Sequence, residues 1–243
     1  MKLEVCVDSL NSAKIAQEAG AYRLELCANL AEGGTTPSYA LIKTVRSLEN
    51  IKLNVLIRPR GGDFHYTQEE FEIMKEDIRI CGELNCDAVV IGALNVDGTI
   101  DVENCKELID VARSYSMGIT FHRAFDRARD LFQSLEVVID LGCDRILTSG
   151  GYESAIDGSE IISQLIKQAE DRIIIMPGAG ISPQNIASLK RETGFSEVHG
   201  TFRDCYQGKM EYKNPNFKNQ EEEYFYQQAD VDKIRDVLRV LQN

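Results

Sequence analysis

The segment LNVLIRPRGGDFHY, Leu53 to Tyr66, ends an apolar run with Arg58 and Arg60 on either side of a proline, followed by two glycines and Asp63. Guanidiniums at the end of an apolar run suit the capture of a carboxylate or phosphate, which arginine grips with parallel N–H donors. Other reactive side chains sit in similar places. Glu4 and Cys6 share one face of LEVCV, Glu25 and Cys27 share one face of RLELC, His122 closes GITFH, and His199 lies near the end of SEVHG. Thiolates are soft donors that suit Cu(I), so Cys6 and Cys27 are the candidate metal ligands. Two carboxylates with separated proton affinities can share acid–base work, which makes Glu4 and Glu25 candidate catalytic groups. His122 and His199 join them as general bases, metal ligands or hydrogen-bonded core residues.

Each of these groups has a plainer reading. Free cysteine is a common packing residue, and the chain has neither a Cys-x-x-Cys motif nor a methionine cluster. Cys81, Cys86, Cys105 and Cys143 fall on or beside helical patterns and read as packing. Glu4 and Glu25 would serve equally as internal partners of Arg58 or Arg60. Arg123 and Asp63 crowd the same rim, however, and a buried ion pair is an inefficient device for stability alone. Two glycine-rich turns add to the anion reading: LTSGG, with Ser149 and Gly150, and MPGAGIS, with Gly178 and Gly180. Backbone amides in such turns approach an anion closely, and the second turn leads into a helix start at Ser182-Pro183. The candidate anion-binding set is therefore Arg58, Arg60, Asp63, Arg123, Ser149, Gly150, Gly178 and Gly180.

Positioning these groups requires a scaffold, and strand and helix patterns alternate along the whole chain. Short apolar runs at Leu3–Val7, Arg23–Cys27, Leu53–Ile57, Ala88–Gly92, Gly118–His122, Arg145–Ser149, Arg172–Met176 and Ser196–Gly200 read as strands. Segments such as LIKTVRSL and FEIMKEDIRI between them return apolar residues every three or four positions. A weak repeat precedes every second strand: EAGAYRLEL, ELNCDAVVI, DLGCDRILT and ETGFSEVHG each end a helix on glycine or asparagine. This pattern predicts an α/β protein, a single (βα)8 barrel over residues 1–243, with an open doubly wound sheet as the alternative. Period-two facing puts Leu3, Val5, Val7, Leu24, Leu26, Leu53, Val55 and Ile57 outward under the helices. Glu4, Cys6, Glu25, Cys27, Arg58, Arg60 (if extension continues past Pro59), His122, Glu197 and His199 then face inward. Beyond about residue 203 a polar excursion reads as a loop, followed by a last helix carrying Val231, Ile234, Val237, Leu238 and Leu241 on one face.

The 243 residues carry a net charge of −12, which argues against nucleic acid or an anionic membrane surface as partner. The opening MKLEVCVDSL has no basic leader or long apolar segment, and the seven cysteines are odd in number. Together these predict a reduced, cytoplasmic protein, and a barrel of this size predicts a homo-oligomer.

LEVCVDS, ELCANLAEGGTTPSY, IRPRGGDFHY, TFHRAFD, ILTSGG and IMPGAGIS together resemble the CutC family, named for copper homeostasis, from about Leu3 to about His199. The resemblance implies a TIM-type barrel and a cytoplasmic role in copper handling, with copper as Cu(I) the bound ion and no organic cofactor. The barrel architecture supports a different reading from the residues alone. In it the chain is a lyase- or isomerase-type enzyme acting on a small phosphorylated or carboxylated molecule, with Arg58 holding the anion and His122 or Glu25 moving a proton.

Overall fold

A computed structural model describes residues 1–216 and 221–242. Eight parallel strands form one sheet: β1 (Lys2–Val7), β2 (Arg23–Leu26), β3 (Lys52–Leu56), β4 (Ala88–Ile91), β5 (Gly118–Phe121), β6 (Arg145–Thr148), β7 (Ile174–Pro177) and β8 (Glu197–Gly200). Their order is β7-β6-β5-β4-β3-β2-β1-β8, with β7 and β8 adjoining at the seam of a nearly closed barrel. Outside lie α1 (Leu10–Ala19), α2 (Tyr39–Arg46), α3 (Gln68–Glu83), α4 (Val102–Ser114), α5 (Leu131–Asp140), α6 (Ser159–Ala169), α7 (Ile186–Thr193) and α8 (Val231–Gln242). The fold is a (βα)8 TIM-type barrel.

Local signals account for many of the boundaries. Thr67 and Glu70 cap α3 reciprocally, each side chain satisfying an N–H that the first turn leaves free. The four repeat positions Gly20, Asn85, Gly142 and Gly194 all adopt positive φ, the left-handed conformation that turns the chain from helix to strand. The expected helix start at Ser182-Pro183 lies early: Asn185 Oδ1 accepts from Ser182 N at 2.9 Å, and α7 begins only at Ile186.

Strand facing follows the alternation. Leu3, Val5, Val7, Leu24, Leu26, Leu53, Val55 and Ile57 join the large core between sheet and helices. Cys6, Cys27, Leu56 and Val90 form a separate small cluster inside the barrel. The excursion after β8 is more ordered than its composition suggested. β9 (Arg203–Gln207) and β10 (Phe225–Ala229) pair as an antiparallel hairpin, with Tyr206 stacked on Tyr226 at 6.1 Å. Both strands are largely exposed, so they carry no apolar alternation to betray them, and their pairing bridges residues far apart in sequence. Residues 217–220 of the excursion lie outside the described residues. α8 then packs on α1 and α7 through Ile234, Val237 and Leu241. Among the described residues no helix is long and apolar enough to cross a membrane.

Candidate functional site in the barrel mouth

The first strand residues that point inward build an ionic floor. Glu4 is 1% exposed, accepts from Arg23 Nε, from Asn54 Nδ2 at 3.2 Å, and contacts His199 Nδ1 at 2.8 Å. Arg23 also reaches Glu197 at 2.8 Å, which in turn meets Arg145 Nε at 2.7 Å. Burial works to raise the Glu4 pKa, but the Arg23 charge and the His199 contact outweigh it and hold the carboxyl down to about 2. The partner of Glu4 is thus Arg23 from the neighbouring strand, neither Arg58 nor Arg60. Arg23 stands on the same alternating face as Glu25 and Cys27, the signal that would have revealed it.

One layer towards the mouth, Cys6 and Cys27 bring their Sγ atoms to 3.4 Å, both buried. Cys6, Glu25 and His199 each offer a ligand atom within 4.8 Å of the others. His199 Nε2 lies 3.7 Å from Glu25 Oε2. With Glu4 ionised and facing Nδ1, that nitrogen carries the donated proton, so Nε2 is the atom presented to Glu25. Burial raises the Glu25 pKa, with the Glu4 charge reinforcing it against the pull of His199. Burial alone would lower His199, but the Glu25 and Glu4 carboxylates raise it. The contact with Cys27, then burial, lifts Cys6 well above an ordinary thiol. The two glutamates therefore do have separated proton affinities, one ionised and one inclined to hold a proton.

A cavity of about 300 Å³ opens above this layer, lined among others by Cys6, Glu25, Arg58, His122, Arg123 and His199. Arg58, 4% exposed, spends its guanidinium largely on backbone carbonyls: Glu32 at 2.9 Å, Gly34 at 2.8 Å and Gly62 at 2.8 Å, with Phe64 beneath it at 4.8 Å. It clamps the loops after β2 and β3, and only Nε lacks an acceptor. Arg60 and Asp63 do not line the cavity. β3 ends at Leu56, so the extension needed to carry Arg60 inward is missing, and Arg60 instead pairs with Glu70 at 2.7 Å and Asp63 at 3.1 Å.

His122 is 4% exposed, and burial followed by the Arg58 charge pushes its pKa down to about 3. Its Nδ1 accepts from Ala124 N at 3.1 Å, so the neutral ring carries its proton on Nε2, which is buried without a partner. A neutral imidazole with an unused N–H is a donor poised for a ligand rather than a base.

The turn after β6 is already engaged. Asp126 accepts from Ser149 N at 3.0 Å, Ser149 Oγ at 2.9 Å, Gly151 N at 3.1 Å and Arg123 Nε at 2.7 Å, so an internal carboxylate fills the place where Ser149 and Gly150 were expected to hold a ligand. Asp126 stands in the quoted TFHRAFD segment, but composition alone does not tell a carboxylate that fills a nest from one that faces water. The turn after β7 does line the cavity through Ala179, Gly180 and Ile181. Gly178 packs beneath it, where a Cβ would come within 2.5 Å of Leu147. Arg203 and Thr201, beyond the segment taken to carry chemistry, also line the cavity.

Fold and site together define a TIM-type barrel whose C-terminal mouth joins paired thiols to a carboxylate-held imidazole, the end of the barrel where such proteins keep their chemistry. The CutC family model matches residues 1–204, and a CutC family protein of Parabacteroides distasonis is 50% identical over 215 residues, 88% of each chain. The chain belongs to the CutC family. A crystal structure of the CutC protein of Streptococcus agalactiae, named for copper homeostasis, is 38% identical and covers 83% of this chain and 98% of its own, with a TM-score of 0.79. Phosphoribosyl anthranilate isomerase of Thermotoga maritima, 11% identical over 100% of this chain and 98% of its own at a TM-score of 0.59, shares the barrel fold alone.

Proposed function

We propose that this CutC-type protein acts in cytoplasmic copper homeostasis by holding Cu(I) at the floor of the barrel mouth. Cys6 and Cys27 would supply two sulfurs, and His199 Nε2 a nitrogen. The observation that carries this reading is the 3.4 Å approach of the two buried thiols, with Cys6 also within 4.8 Å of His199, whose ring Glu4 orients. Soft sulfur with one nitrogen is a donor set that favours Cu(I) over harder ions. A carboxylate behind a ligating histidine is the usual way proteins fix its tautomer. Seven free cysteines, six of them buried, fit a reducing compartment. The test is anaerobic Cu(I) titration against a competing chelator. The native chain should retain one equivalent and the Cys6→Ser/Cys27→Ser variant should release it; retention by that variant would overturn the assignment.

A second reading is favoured by the unpartnered Nε2–H of His122 and by the 3.7 Å approach of His199 Nε2 to Glu25, whose pKa burial raises. Here the mouth belongs to a lyase- or isomerase-type enzyme for a small anionic molecule, with Glu25 and His199 exchanging a proton and His122 donating a hydrogen bond. Substrate-independent support would be a ligand whose affinity falls on His122→Phe while Cu(I) retention stays unchanged.

A further inference from the structure

We propose that the outer rim of this cavity is a subsite for the dianionic phosphate of a small phosphomonoester, held by Arg123 and Arg203 with the Ala179–Ile181 turn between them. The inference deepens the small-molecule reading above and does not depend on copper.

The rim is rich in donors and poor in acceptors. Arg123 is fixed from behind by Asp126 at 2.7 Å and Ser149 Oγ at 2.9 Å, yet its side chain remains 38% exposed. Arg203, whose side chain is 26% exposed, has Asp8 as its nearest carboxylate partner at 3.8 Å, too long for a hydrogen bond. In a chain of net charge −12, a cation left that weakly compensated beside a cavity is unusual. Among the described residues the backbone N–H groups of Ala179, Gly180 and Ile181 have no acceptor. Deeper in the same cavity two buried donors are also unmatched, His122 Nε2–H and Arg58 Nε–H. Buried donors without acceptors are costly, and a group that offers only acceptors relieves several at once. A phosphate dianion is such a group, and arginine recognises it better than any other side chain. The volume, about 300 Å³, lies at the small end of ligand pockets and leaves room for a few carbons beyond the phosphate.

This placement moves anion recognition away from Arg58, whose guanidinium is committed to carbonyls, and from Arg60, which faces Glu70. It brings in Arg203 from the segment beyond β8, so the hairpin contributes to the mouth.

The experiment is calorimetric titration of the full-length protein with inorganic phosphate, glycerol 3-phosphate and glycerol. Saturable binding of both phosphates but not glycerol is expected. Affinity should fall at least tenfold in Arg203→Gln and less in Arg203→Lys, which keeps the charge but not the planar fork. Arg60→Gln should bind like the native chain, as should Cys6→Ser/Cys27→Ser. Absence of saturable binding to either phosphate, or equal weakening by Arg60→Gln, would overturn the proposal. Loss of phosphate binding in the double cysteine variant would do so too, by placing the ligand on the thiol floor. Phosphate binding without Cu(I) retention would leave this subsite standing and remove only the copper assignment.

Discussion

Replacing Arg23 by methionine removes the cation from between Glu4 and Glu197 at nearly constant volume. The two carboxylates respond differently. Glu197 keeps Arg145 at 2.7 Å and Lys2 at 3.2 Å, whereas Glu4 keeps only Asn54 and His199. The loss therefore falls on Glu4. Burial works to raise its pKa, and the Arg23 charge together with the His199 contact holds the folded value at about 2 against an ordinary 4.5. Breaking a buried ion pair by removing one partner costs about 3–5 kcal/mol, which sets the size expected here. Because the folded pKa is depressed, this stabilisation is fully present above pH 4.5 and is lost as pH falls towards 2. Urea unfolding at pH 7 should show Arg23→Met destabilised by roughly 3 kcal/mol, with a smaller gap between variant and native chain at pH 3. Adding Glu4→Gln should restore much of the loss, since a neutral amide no longer needs the cation. A cost below about 1 kcal/mol, or a double variant no more stable than the single one, would refute this account of the floor.

Three further outcomes test other parts of the site. In Gly92→Ala the new methyl would stand 2.6 Å from the His122 ring, so the ring must move; thermal unfolding should register a loss of about 1–3 kcal/mol. Asp126→Asn keeps the shape but turns an amide donor towards a nest of donors, and amide exchange at Ser149 and Gly151 should quicken, with a stability loss of about 1–3 kcal/mol. Arg60→Ala removes exposed pairs with Glu70 and Asp63 and should cost no more than about 1 kcal/mol in urea.

How far the site was legible varied with how local each feature is. The left-handed turns at Gly20, Asn85, Gly142 and Gly194 depend on a few consecutive residues, and they appear where the sequence implies them. The hairpin of β9 and β10 was missed because exposed strands lack apolar alternation. Arg60 was misplaced because extension stops at Leu56, a consequence of how the loop after β3 closes under the Arg58 clamp.

The sequence by itself determined the barrel and the inward faces of its strands, because alternation along a strand is a property of the backbone with a period of two. It thereby put Glu4, Cys6, Glu25, Cys27, His122 and His199 on one side of the wall. Only the tertiary structure decided their partners. The stagger between parallel strands set Glu4 against Arg23 and His199 and brought Cys6 to Cys27. Distant loops claimed the Arg58 guanidinium, and Asp126 occupied the turn at Ser149. Partner choice depends on where separate segments meet in space, and nothing in the spacing along a single segment encodes that distance.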